Sequence, residues 1–193
     1  MRSFSTNYYL APGRLNEVGV EGRTVIVDYC HNVPGMIMLG DFVDKTGDAL
    51  ESTNDLGRVS RIGLIATAGD RRNDDMHALG QEAAQHFDVL IVREDKNLRG
   101  RAAGEVAELV ANGARRAMAE GARCKQVEIV LDELASVRHA MSRSNPGDLV
   151  VICVEQHAAV MAYLESYGHH AQPGARPENA AEISNAVPDP DSH

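Results

Sequence analysis

Four short segments gather the residues best suited to a charged ligand. Gly69-Asp70-Arg71-Arg72-Asn73 sets two guanidiniums beside a glycine. The glycine permits close backbone approach, and the amides of a following helix start face an anion. Each guanidinium can fork onto phosphate or carboxylate oxygens, so the loop suits a polyanion. The competing reading has both arginines merely pairing with Asp74 and Asp75 at a solvated helix start. Glu94-Asp95-Lys96-Asn97-Leu98-Arg99-Gly100-Arg101 mixes both signs and fits a carboxylate or a guanidinium-bearing substrate, but a long exposed turn would look the same. Asp28, followed by Cys30, His31 and Asn32, could accept from sugar hydroxyls and hold a base alongside, although a histidine at a strand end is also an ordinary hydrogen-bonded residue. Glu155-Gln156-His157 completes the set. His169 and His170 have no cysteine or acid at ligand spacing and read as solvent-exposed rather than metal-binding.

These segments share one position in the pattern. Runs rich in β-branched residues at 24–29, 61–66, 88–93, 126–131 and 148–154 read as strands, and four of the five are followed by one of the charged segments. Between them, apolar residues recur at helical spacing: Met36, Leu39 and Val43; Met76, Leu79 and Ala83; Val106, Val110 and Ala117; Leu134, Val137 and Met141; Val160, Met161 and Leu164. Asn73 and Asp132 are expected to cap helix starts, and Gly47 and Gly168 to end helices in the left-handed conformation. Five βα units imply an α/β fold, a three-layer sandwich around a mainly parallel sheet. In such a sheet ligands bind beyond the carboxyl ends of the strands, where the charged loops converge. The segment 48–60 reads as an exposed connection.

Composition narrows the classes. The chain has 193 residues, 44% apolar and 24% charged, which is enough for one sizeable core. With 19 basic and 28 acidic side chains the net charge is −9, which argues against a broad basic surface for nucleic acid. No run approaches the length of a membrane span and no signal-peptide layout opens the chain, so a cytoplasmic location is expected. Three cysteines, far apart, indicate neither a disulfide framework nor a structural zinc site. Four of the seven prolines (Pro173, Pro177, Pro188, Pro190) crowd the end of the chain. The expected organisation is a lead-in at 1–22, with room for a short edge strand, a main domain at 23–168 and a disordered tail at 169–193. The sequence contains no G-x-x-x-x-G-K-[ST], G-x-G-x-x-G or G-x-S-x-G motif, so the rim is ready for an anion but has no recognised engine for ATP hydrolysis, hydride transfer or acyl transfer.

In order along the chain, Pro12-Gly13-Arg14-Leu15-Asn16, Val27-Asp28-Tyr29-Cys30-His31-Asn32, Gly69 to Asp75 and Glu94 to Arg101 resemble the C-terminal, glutamate ligase-type domain of the Mur ligases. The last two motifs, with Gly104-Glu105-Val106-Ala107 after them, are most similar to the cyanophycin synthetase branch. The resemblance spans about Pro12 to Leu164 and implies a Rossmann-like αβ domain whose mainly parallel sheet carries an antiparallel edge strand. It also implies ATP-dependent carbon–nitrogen ligation: ATP phosphorylates a carboxylate and an amine attacks the acyl phosphate. In that branch the amine is arginine and the acid is the aspartate side chain of a poly-aspartate-type peptide. By motif, Arg14, Asp28, His31 and Asn32 would face the nucleotide, and Arg71 and Arg72 the transferring phosphoryl group. Glu94, Asp95, Arg99 and Arg101 would face the incoming amino acid. ATP and Mg²⁺ are the implied cofactors, with Mg²⁺ expected mainly on a separate central ATPase domain that closes over this one. The isolated chain would then be inactive. A homo-oligomer is compatible with this reading. The sequence departs from the family's usual D-Y-[AG]-H-N-P in that Cys30 replaces a small residue and Pro34 falls one position late. The alternative is a stand-alone α/β module that binds a nucleotide or amino acid for regulation or scaffolding.

Overall fold

A computed structural model describes residues 14–53 and 57–170. The chain runs β1 (Asn16–Val20), β2 (Arg23–Asp28), α1 (Val33–Thr53), β3 (Arg61–Ile65), α2 (Asn73–His86), β4 (Val89–Val92), α3 (Glu105–Ala119), β5 (Gln126–Ile129), α4 (Glu133–Arg143), β6 (Leu149–Cys153) and α5 (His157–His170). The strands form one sheet in the order β1-β2-β6-β3-β4-β5, parallel throughout except for the β1–β2 pair. The α/β class, the mainly parallel sheet and the antiparallel edge are therefore as the sequence implied.

Burial follows position in the sheet. The central strands β3 and β6 are buried at every residue, because helices cover both faces, whereas β1 alternates buried and exposed as an edge strand does. Glu21 and Gly22, both at positive φ, form the two-residue turn that joins β1 to β2. Two apolar clusters flank the sheet. Ile26, Leu90 and Val151 face α1, α2 and α3, and Val25, Ile62 and Val150 face α4 and α5. Among the described residues no helix is long and apolar enough to cross a membrane.

Four local expectations are corrected. Gly47 does not end α1, which runs on to Thr53 and takes in the first part of the expected 48–60 connection. A Cβ at Gly47 would lie 2.2 Å from Nε of Arg61, so the glycine makes room for a buried guanidinium bonded to Asp44 and Asp48. Gly40, two turns earlier, likewise faces the His86 ring, whose Nδ1 bonds Asp44 at 2.8 Å. Helix α5 continues past Gly168 to His170, so Gly168 is not its C-cap. Asn73 is the first residue of α2 and not its cap; Arg72 holds the cap position with extended backbone and no capping side chain. Asp132 does cap α4, accepting from the Ala135 amide at 2.8 Å. Pro12, Gly13 and the tail beyond His170 lie outside the described residues.

Candidate functional site

The antiparallel course of β1 brings the start of that strand beside the carboxyl end of β2, with Asn16 paired to Val27. Oδ2 of Asp28 accepts from the Leu15 amide at 3.0 Å, which sets the exposed Arg14 next to the Asp28 carboxylate. Among the described residues the second oxygen of that carboxylate takes no hydrogen bond, so a ligand hydroxyl could donate to it. Tyr29 and His157 approach with ring centroids 6.0 Å apart, and Nε2 of His157 lies 3.2 Å from Oδ1 of Asn16. Burial pushes the His157 imidazole below its ordinary pKa.

The next loop forms one wall of an open cleft of about 410 Å³ lined by His31, Asn32, Pro34, Thr67, Arg71 and Asp75. His31 is held by its backbone and its ring: its carbonyl accepts from Oγ1 of Thr67 at 2.9 Å, and its Nδ1 lies 2.8 Å from the Tyr29 carbonyl. The first bond ties the β2–α1 turn to the β3–α2 turn across the cleft. Asn32 caps α1, its Oδ1 accepting from the Gly35 amide at 2.9 Å, so the late proline falls at the second helical position and does not disturb the helix start.

The two arginines of the Gly69–Asn73 loop part company. Arg72 is 81% exposed and forks onto Asp75 at 3.0 and 2.8 Å, which holds the Asp75 carboxyl below its ordinary range. Arg71 lines the cleft, and among the described residues its guanidinium makes no hydrogen bond or ion pair, though its charge also favours the ionised Asp75 carboxylate in the same cleft. The loop is fixed from behind by Arg101, which donates to the carbonyls of Gly69 (2.7 Å) and Arg71 (2.9 Å) and pairs with Glu105 at 2.6 Å. Gly69 also leaves room for the Leu98 backbone, since a Cβ there would stand 2.2 Å from the Leu98 carbonyl oxygen.

A second, smaller cleft of about 240 Å³ opens at the ends of β4, β5 and β6, where Asp95, Lys96, Asp132 and Glu155 meet. Glu94 lies at its edge but is committed to structure, its carboxylate accepting from the amides of Gly104, Val106 and Ala107 at 2.8–3.1 Å where α3 begins. Asp95 accepts from the buried Arg93 at 3.1 Å. Arg99 sits at positive φ and reaches Asp70 at 3.4 Å on the exposed side. Beneath this cleft Arg93 also bonds the Cys153 carbonyl at 2.9 Å and Glu133 at 3.2 Å, and Glu133 receives the amides of Glu155 and Gln156.

The structure thus gathers Arg14, Asp28, His31, Asn32 and Arg71 along the β1–β2–β3 side of the rim, and Asp95 along the β4–β6 side. Arg72 and Arg99 point to exposed partners, while Glu94 and Arg101 brace backbone. Sequence reasoning did not single out Thr67, Tyr29, Arg93 or Glu133. An arginine closing an apolar strand, as Arg93 does, was the one available signal, because such a charge needs a buried partner. Among the described residues no three His, Cys, Asp or Glu side chains cluster to hold a metal ion.

Residues 13–154 match the model of the Mur ligase, glutamate ligase domain. The chain is 34% identical to the cyanophycin synthetase of Geminocystis herdmanii over 168 residues and 36% identical to that of Synechocystis sp. over 166. Each match covers 86% of this chain and 17% of the relative, so the chain spans about a sixth of the curated relatives it matches. Among solved structures, a murein peptide ligase from Psychrobacter arcticus superposes with a TM-score of 0.61 at 15% identity, covering 82% of this chain and 30% of that one. A folylpolyglutamate synthase from Mycobacterium tuberculosis, complexed with ADP and AMPPCP, gives 0.52 at 19% identity, covering 80% and 32%. At such identities these two likenesses speak for the fold alone. The family is shown by the match over 142 residues together with the 34% and 36% identities to the two cyanophycin synthetases: the chain belongs to the Mur ligase family and carries its glutamate ligase domain.

Proposed function

We propose that this domain supplies the closing half of an ATP-dependent amide-ligase site. Its β1–β2–β3 rim would face the nucleotide and its β4–β6 rim the incoming amino acid. The observation that carries the reading is the Arg71 guanidinium, which lines the 410 Å³ cleft without a hydrogen bond or ion pair among the described residues, in a loop whose backbone Arg101 has already fixed. A preorganised cation costs little reorganisation when charge develops on a transferring phosphoryl group. Asp28 and Arg14 would take the ribose and nucleotide, with His31 and Asn32 beside them. Mg²⁺ would be held mainly by a central ATPase domain, as the likeness to the Mur ligases implies.

For the incoming substrate, the cleft where Asp95, Asp132 and Glu155 outnumber Lys96 would favour a cation, in keeping with the arginine that the cyanophycin synthetase likeness suggests. The acid partner would be a poly-aspartate-type peptide. The isolated chain would be inactive, because no phosphate-gripping Lys-Ser/Thr loop occurs in it.

Calorimetric titration of the chain with ATP tests the nucleotide half. Weak binding, lost on Asp28→Ala and diminished on Arg71→Ala, is expected. Sub-micromolar affinity would mean a complete site and would favour the stand-alone binding module.

A further inference from the structure

One loop serves both clefts. Asp95, Lys96 and Leu98 line the second cleft, and the Lys96 amide donates to Oε2 of Glu155 at 3.1 Å there. The same loop then turns against the first. The Leu98 carbonyl lies where a Cβ on Gly69 would be, Arg99 reaches Asp70, and Arg101 donates to the carbonyls of Gly69 and Arg71. Left-handed backbone at Arg99 and Gly100, with φ of 52° and 87°, and a bond from the Arg101 amide to the Leu98 carbonyl bring Arg101 back to that position.

Every nitrogen of the Arg101 guanidinium is engaged. Nε holds the Gly69 carbonyl, Nη2 the Arg71 carbonyl and Nη1 the Glu105 carboxylate, whose other oxygen accepts from the Ala102 amide at 3.1 Å. The side chain is 19% exposed, against 51% for Arg99. A planar fork so placed keeps two carbonyls at a set separation, and one of them belongs to the residue whose side chain is the cation of the first cleft. The exposed Arg99–Asp70 pair is too weak to do the same.

We propose that Arg101 is a positioning residue for Arg71 and that through it the 94–101 loop couples the two clefts, so that a change at the second displaces the cation of the first. A displaced loop carries Gly69 and Arg71 with it because the fork does not stretch. The link this makes between nucleotide and incoming amino acid rests on the proposed function; the tie between the loops does not.

Nitrogen-15 relaxation and amide shifts of the purified chain test the tie without a ligand. Arg101→Lys keeps a cation beside Glu105 but cannot fork onto two carbonyls. Order parameters of the Asp70, Arg71 and Arg72 amides should fall in it from about 0.85 to below about 0.6, with the α3 amides unchanged. Glu105→Gln weakens the ion pair behind Arg101, leaves both carbonyl bonds, and should keep those amides rigid. Rigid amides in Arg101→Lys, or equal loosening in Glu105→Gln, would overturn the proposal, because the arginine would then serve only the start of α3. Glu155→Ala removes the acceptor of the Lys96 amide at the second cleft. It should shift the Asp70 and Arg71 amides as well as that of Lys96, and in an Arg101→Lys background only that of Lys96. No shift at Asp70 and Arg71, or one that survives Arg101→Lys, would refute the coupling. With ligands, saturating L-arginine should tighten ATP binding about fivefold or more in the unaltered chain and not in Arg101→Lys. Equal ATP affinity with and without bound arginine in the unaltered chain would also refute the coupling. If L-arginine leaves the Asp95 and Glu155 amides unshifted, or ATP does not bind, the reading of that cleft has failed, and the relaxation and Glu155→Ala results decide the tie on their own.

Discussion

Adjacent arginines of identical type are set apart by what lies around them. Arg72 spends its guanidinium on Asp75, and Arg71 holds its charge over the cleft. In a full-length ligase Arg71→Ala should therefore lower kcat by roughly 10²-fold with a smaller change in KM, because the lost interaction strengthens only as the phosphoryl group transfers. Arg72→Ala should leave kcat within about twofold and the melting temperature nearly unchanged, since an exposed pair of this kind contributes little. Steady-state kinetics on both variants, beside melting curves, decides; equal losses would mean that Arg72 leaves Asp75 for the substrate. His157 offers a check by pH. Its folded-state pKa lies below the ordinary value, so the unfolded chain binds the proton first as pH falls. Stability should accordingly drop as pH decreases from about 6.5 and level off below the folded pKa. An NMR titration placing the His157 midpoint at or above the free-histidine value would contradict this.

At the level of elements, glycines inside helices record close approaches. A Cβ at Gly80 on α2 would stand 1.9 Å from the Val110 carbonyl oxygen of α3, and one at Gly113 would stand 2.0 Å from the His77 carbonyl oxygen. Alanine favours an isolated helix over glycine by about 1 kcal/mol, so propensity alone makes Gly47→Ala and Gly80→Ala stabilising. Overpacking should reverse the sign, by about 1–3 kcal/mol, and more at Gly80, where rigid backbone stands in the way, than at Gly47, where a side chain can shift. Urea denaturation of the two variants measures this; a gain at Gly80 would show that the helices separate freely. The same glycines explain where the sequence was legible. Five of the six strands and the five helices announced themselves because their apolar spacing is set locally, whereas β1, with no clear periodicity, was only allowed for as an edge strand; Asp132 revealed itself as a cap by the same local logic. Gly47 misled because its role depends on Arg61, a residue 14 positions away whose approach no helix pattern encodes. At the rim, the charged loops were visible as clusters, but a cluster does not say which guanidinium is free. That depends on Arg101 reaching back to Gly69 and on Asp75 lying one turn into α2, which are facts of tertiary packing.

For the molecule as a whole, the buried Arg93–Glu133 pair joins β4, α4 and the turn after β6 beneath the second cleft. Side-chain exposures of 2% and 4% mean that both charges are desolvated, and each is compensated by the other and by backbone groups. Removing one partner strands the other. Arg93→Met should therefore destabilise by about 3–5 kcal/mol. Glu133→Gln should cost less, because the amide oxygen can still receive the Glu155 and Gln156 backbone amides while Arg93 keeps the Cys153 carbonyl and Asp95. The double variant should cost less than the sum of the two, since neither buried charge is then left facing an empty place. Denaturant titrations around the cycle give the coupling directly. Strict additivity would mean that the two groups act independently, each held by its backbone contacts, and that the strand ends carrying the two clefts are not tied together through this pair.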